Sequence, residues 1–194
     1  MSLENWLGER GLAVAADTAD INVFCLAEMS SRADLRARLQ FHDVPARLLW
    51  KLDANSVLAQ HAPCLFQCPP DSDFDRWLSS GLDGAALSIL YTRLDLDGIC
   101  AHLRRFTKLQ NRDGRFLVRL GDPGSLRLYL DAIAHTPETV ARLFGHDGIQ
   151  RFYLHDPRAE LSWRVQALFE QGWNHPGREG YLLWDEPTLV KVTA

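Results

Sequence analysis

Apolar and polar positions along this chain alternate between two periods, one suited to strands and one to helices. Ile21–Leu26 (INVFCL) is an unbroken apolar run rich in β-formers, the pattern of a buried strand. Ser30 and Ser31 stand where a helix cap is expected, ahead of Leu35 and Leu39 on one helical face. Arg47–Leu52 (RLLWKL) and Pro63–Cys68 (PCLFQC) predict two short strands flanking a helical turn at Asn55–His61. Pro70-Asp71-Ser72-Asp73 predicts a short helix through Phe74, Trp77 and Leu78, closed by Gly81. Gly84–Tyr91 (GAALSILY) predicts a further strand.

Asp95 or Asp97 opens a longer helix with Leu96, Ile99, Leu103 and Phe106 on one stripe. Asp113-Gly114 turns the chain into Arg115–Leu120, where Phe116, Val118 and Leu120 alternate with Arg115, Leu117 and Arg119. Asp122-Pro123-Gly124 leads into a helix with Leu126, Tyr129, Leu130 and Ile133 inward. Thr136-Pro137-Glu138 starts another, carrying Val140, Leu143 and Phe144 and stopping at Gly145. Ile149–Leu154 predicts a strand, Ala159–Gln171 a helix with Leu161, Val165, Leu168 and Phe169 on one face, and residues 188–192 (TLVKV) a late strand.

Strands alternating with helices define an α/β class, with α+β as the alternative, and predict a mixed sheet flanked by helices with a small C-terminal helical lobe. The expected organisation is a loosely attached lead-in over residues 1–20, an α/β domain over 21–156 and a helical extension over 157–194. No internal repeat or low-complexity tract interrupts it.

Length and charge narrow the function. A chain of 194 residues buries roughly 70% of its unfolded surface and needs no disulfide staples. A net charge of −4 is not that of a general nucleic-acid binder. Cys25, Cys64, Cys68 and Cys100 sit mostly within apolar runs, the usage of buried thiols in a reducing compartment. The start MSLENWLGERG has acidic residues and no apolar core of a signal peptide, and no apolar run approaches a membrane span. These features predict a cytoplasmic protein of bacterial type.

Candidate chemistry is sparse. His61, Cys64 and Cys68 are zinc-compatible types, but on a strand the two thiols fall about 13 Å apart, and no second ligand pair follows, so buried cysteine is the stronger reading. Neither a Gly-x-Ser-x-Gly elbow nor a His-Glu-x-x-His helix occurs. His146-Asp147 and His155-Asp156 sit where polar turn residues are expected. Gly121-Asp122-Pro123-Gly124 precedes a helix but lacks the lysine of a phosphate loop, and Asp122 reads as the helix cap. Arg104, Arg105, Lys108, Arg112, Arg115 and Arg119 form a basic run with Asp113 as its one acid. That run is a solvated helix face, a nucleic-acid surface or a site for an acidic protein, and the overall charge favours protein over nucleic acid. Trp163 lies roughly opposite the apolar stripe of its expected helix; it is either an exposed anchor or covered by a tail carrying Tyr181 and Trp184.

An ordered set of short motifs runs from about Leu52 to Asp156. It comprises Pro70-Asp71-Ser72-Asp73-Phe74-Asp75-Arg76-Trp77-Leu78, then Leu103-Arg104-Arg105-Phe106, then Asp113-Gly114-Arg115 leading to Val118-Arg119-Leu120 and the Asp122-Pro123 corner. Thr136-Pro137-Glu138, Leu143-Phe144-Gly145 and Arg151-Phe152 close it. This arrangement resembles the effector-loading adaptors of type VI secretion, chaperones often encoded between a VgrG spike protein and its toxin. Such adaptors usually carry an aromatic before the Asp-Pro corner and often an arginine after it; this chain has Gly121 and Gly124 there, so Arg119, Asp122 and Pro123 are the positions carried over. The resemblance implies an adaptor without turnover, metal or cofactor, whose partners are a toxin effector and VgrG. The contact candidates are Arg104, Arg105, Arg119, Asp122 and Trp163. The competing expectations are a small hydrolase using Cys64 or Cys68 and, third, a nucleic-acid module using the basic run.

Overall fold

A computed structural model describes residues 1–13, 20–52, 56–112, 114–145, 148–170 and 174–187. In chain order the elements are α1 (Leu3–Glu9), β1 (Asn22–Glu28), α2 (Leu35–Phe41), β2 (Ala46–Leu48), β3 (Pro63–Phe66), α3 (Asp73–Ser79), β4 (Leu87–Thr92) and α4 (Leu96–Arg104). They continue with β5 (Lys108–Asn111), β6 (Gly114–Leu117), α5 (Pro123–Ile133), α6 (Pro137–Phe144), β7 (Ile149–Asp156), β8 (Leu161–Ala167), β9 (Arg178–Glu179) and β10 (Leu182–Asp185). The eight-stranded main sheet has the order β2-β3-β1-β4-β7-β8-β10-β9, and β5 and β6 form a separate two-stranded hairpin.

Strand alternation explains why this sheet is covered on both faces. Phe24 and Leu26 of β1, Leu90 of β4 and Phe152 and Leu154 of β7 point to one side, where Ile99, Leu103, Leu126, Leu130, Val140 and Phe144 of α4, α5 and α6 pack on them. Cys25, Ala27, Ile89, Tyr91 and Tyr153 point to the other, where they meet Trp6, Leu35, Leu39, Phe74 and Leu78 of α1, α2 and α3. The result is three layers, helices on sheet on helices, with one core on each side.

The mixed α/β class is as expected, but the sheet is antiparallel at every pairing among the described residues rather than mixed in direction. The cause is legible in β1 and β4. Strands buried on both faces read as continuous apolar runs, the signature usually carried by parallel sheets.

Three local expectations are corrected. The described start of the lead-in, residues 1–13, is not loose: α1 is capped by Ser2, and Trp6, 1% exposed, meets His155 edge-on at 4.9 Å. The segment expected as a C-terminal helix is the strand β8, paired with β7 through a hairpin turn in which Glu160 is left-handed. Leu161, Trp163, Val165 and Ala167 face the first core at a period of two, while Leu161, Val165 and Leu168 also fit a helical spacing, so two periods compete in one segment. The tail therefore extends the main sheet: β10 pairs with β8, Arg164 Nε donates to Asp185 Oδ2 at 2.8 Å, and Tyr181 N donates to Ala134 O at 2.8 Å. The expected strand at residues 188–192, Asp113 of the turn, the His146-Asp147 pair and Asn55 at the start of the helical turn lie outside the described residues.

Other starts match their chemistry. Ser72 Oγ accepts from Asp75 N at 3.0 Å, Asp95 Oδ1 from Gly98 N at 2.7 Å, and Asp122 Oδ2 from Ser125 N at 3.0 Å. The cap of α2 is Asp34 rather than Ser30 or Ser31.

Candidate functional site

The basic run divides when the chain folds. Arg104 and Arg105 close α4, and Lys108 opens the hairpin three residues later. The hairpin base is fixed by Thr107, whose Oγ1 donates to Arg104 O at 2.9 Å and whose carbonyl accepts from Val118 N at 2.9 Å. Opposite it, the segment after β2 is held when Leu49 N donates to Pro63 O at 2.8 Å. Between these pieces lies a groove of about 550 Å³. Leu49, Trp50, Leu52 and Leu117 give it apolar walls, and Lys51, Arg104, Arg105 and Lys108 give it positive charge.

No carboxylate lines this groove, and none of its four cations has an ion-pair partner within 4 Å among the described residues. Asp53 and Asp113, the acids nearest in sequence, lie outside those residues. Arg104 Nη2 donates to Leu48 O at 2.9 Å, tying the guanidinium to the groove wall, and its Nε is buried without an acceptor among the described residues. Trp50 Nε1, in the same wall, also has none. Arg105 is exposed, and its Nη2 donates to His102 Nδ1 at 2.5 Å.

The hairpin adds apolar surface. Leu109 and Phe116 are directly paired across it and are each 48% exposed; Leu117, 42% exposed, lies on the other face with Lys108. A two-stranded ribbon has one small side to bury and gains little from exposed leucine and phenylalanine on its own.

The remaining candidates fall elsewhere. Arg119 Nε donates to Glu28 Oε1 at 2.6 Å and Nη2 to Glu28 Oε2, and this raises the Arg119 pKa further. Asp122 is occupied as the cap of α5, accepting also from Ser125 Oγ at 2.6 Å. Trp163 is half-buried against the core that contains Trp184, and Arg127 lies 3.6 Å from the Trp184 ring and 5.6 Å from that of Trp163. Of the two alternatives for Trp163, the covered one fits this placement. The structure thus brings Arg104 and Arg105 together and separates them from Arg119, Asp122 and Trp163. Lys51, Trp50 and Leu117 are groove residues that sequence reading missed; the RLLWKL run was legible only as a strand.

The thiols lack the environment of nucleophiles. Burial pushes Cys64 up to about 12, and burial, Cys25 and Asp75 raise Cys68. Cys25 and Cys100 are raised too, by burial foremost. A reactive thiol needs the opposite shift. His61 Nδ1 lies 3.3 Å from Ser30 Oγ. Among the described residues no group of three His, Cys, Asp or Glu is placed to hold a metal, and no helix is long and apolar enough to cross a membrane.

Fold and groove together define a three-layer α+β domain with a surface cleft that is both cationic and apolar. The profile of one family, described as a domain of unknown function (DUF4123), matches residues 23–142, from β1 into α6. That span is more than half of the chain, and the protein belongs to the DUF4123 family. No curated protein and no solved structure matches the chain.

Proposed function

We propose that this protein is an adaptor that holds a toxin effector and helps to load it onto the VgrG spike of a type VI secretion system, acting in the bacterial cytoplasm without catalytic turnover. The observation that carries this reading is the groove beside the β5–β6 hairpin, where cations without an ion-pair partner among the described residues and exposed apolar side chains stand side by side. A patch of that kind is a surface for another protein. Membership of the DUF4123 family and the ordered motifs from Pro70 to Phe152 support the same reading. The raised thiols weigh against the cysteine hydrolase.

The test is co-expression with candidate toxin and VgrG proteins from the same genome, followed by size-exclusion chromatography. The chain is expected to co-elute with the toxin's N-terminal segment, with the spike protein, or with both. Elution of the folded chain alone from both mixtures would overturn the reading.

A further inference from the structure

Resting on the adaptor reading, we propose that the groove between the end of α4, residues 49–52 and the β5–β6 hairpin seats an acidic, amphipathic segment of the effector. Charge complementarity selects the acid. Lys51, Arg104, Arg105 and Lys108 converge on one cleft with no lining carboxylate among the described residues, although the whole chain is net negative at −4. A partner carboxylate here meets four cations, whereas elsewhere it meets an acidic protein.

Shape and apolarity select a peptide over a nucleic acid. The walls made by Leu49, Trp50, Leu52 and Leu117 offer contact to side chains and nothing to phosphates. A volume of about 550 Å³ suits a few anchoring side chains. The exposed Arg105 and Lys108 at the mouth of the groove supply donors that a carboxylate or a peptide carbonyl can reach. Leu117 and Lys108 share the hairpin face on the groove, so one occupant meets an apolar contact and a cation side by side.

The experiment measures the affinity of the co-purified toxin segment for the full chain by calorimetry at low and high salt. Three variants are compared: Arg105→Glu with Lys108→Glu, Leu117→Asp, and Arg158→Glu as a control at an exposed cation in the β7–β8 turn. Thermal melts establish that each variant is folded. The double charge reversal and Leu117→Asp are each expected to weaken binding at least tenfold, added salt to weaken the wild-type complex, and the control to stay within twofold. A photo-crosslinking residue at position 117 in the complex should capture a toxin stretch rich in Asp or Glu and in leucine-like side chains.

A wild-type complex that both groove variants leave within twofold, or capture of a basic stretch, overturns the groove assignment while leaving the adaptor reading intact. Absence of any complex with toxin or spike overturns both. Binding of a 20-base-pair DNA duplex that is as sensitive to the groove variants as the toxin assigns the cleft to nucleic acid and also overturns the proposal.

Discussion

Glu28, at the end of β1, is gripped side-on by Arg119 from the corner before α5: both carboxylate oxygens accept from one guanidinium, Glu28 is 6% exposed and Arg119 54%. The two ends of this pair differ in what their loss leaves behind. Arg119→Met strands a buried carboxylate and is expected to cost about 2–3 kcal/mol, less than the ~3–5 kcal/mol of a fully buried pair because the arginine is half in water. Glu28→Gln leaves a solvated guanidinium and should cost only about 1 kcal/mol. Urea denaturation of both variants checks the asymmetry; equal losses would show that Arg119 does not neutralise Glu28. With Nε and Nη2 engaged in this way, Arg119 has a structural role in holding the corner to β1.

The same corner requires glycine at position 121. Gly121 O accepts from Glu28 N at 3.1 Å, and a Cβ at position 121 would lie 2.7 Å from the backbone of Ala27 and Glu28. Backbone on both sides leaves no flexible neighbour to yield. Gly121→Ala is therefore expected to destabilise the protein by about 1–3 kcal/mol, the usual range of forced overpacking. A thermal melt unchanged by this substitution would mean that the corner is free to move off β1.

Asp75 ties the N-terminal helix to the domain. Its Oδ1 accepts from Leu3 N at 2.7 Å and Ser79 Oγ at 3.0 Å, and its Oδ2 from Asp71 N at 3.1 Å, all with the residue 1% exposed. Asp75→Ala removes the acceptor from two backbone donors and should cost about 2–4 kcal/mol. Hydrogen exchange should show α1 losing protection before β4, since the bond to Leu3 is the one that spans the two helices. Uniform loss of protection would contradict this role.

Two buried histidines set a pH dependence. His102 Nε2 donates to Leu143 O at 2.7 Å, so Nδ1 is the lone-pair nitrogen that accepts from Arg105. His155 Nε2 donates to Leu82 O at 2.8 Å. Burial foremost, with the nearby Arg105 and Arg10, lowers both below the ordinary 6.5, although the hydrogen bonds to Leu143 O and Leu82 O, and Asp83 and Asp156 at His155, partly offset this. The unfolded chain then binds these protons more readily than the folded one, so stability rises with pH. Their contribution is fully present above pH 6.5 and is lost as the pH falls below it. The urea midpoint should drop between pH 7.5 and 5.5, and His102→Gln with His155→Gln should flatten that slope. A slope unchanged in the double variant would assign the pH dependence to other groups.

Much of the architecture was legible because local signals agreed with tertiary need. The Ser72, Asp95 and Asp122 caps, the stripes of α4, α5 and α6 and the apolar runs of β1 and β4 all sit close to where patterning puts them. Strand direction was not legible, because a strand covered on both faces looks alike in parallel and antiparallel sheets. The identity of β8 was lost because its apolar residues satisfy a period of two and a helical spacing together. In the groove, Arg104 and Arg105 were visible as charge on a helix end. Trp50, Lys51 and Leu117 were not, since only the docking of segment 49–52 and the hairpin against α4 brings them there.

The thiols separate the adaptor from a cysteine enzyme by reactivity alone. Cys25, Cys64 and Cys100 are buried and Cys68 is half-buried, with Cys64 raised to about 12 and the others also raised. Alkylation requires the thiolate, so at pH 8 the folded protein should react with iodoacetamide far more slowly than a free cysteine, and all four thiols should label once urea unfolds the chain. Cys68 is the informative position, being the most open of the four: its raised pKa predicts slow labelling even where reagent can approach. Rapid labelling of Cys64 or Cys68 in the folded state would require a nearby cation or acid-base partner that lowers the thiol, and that result would put the hydrolase ahead of the adaptor.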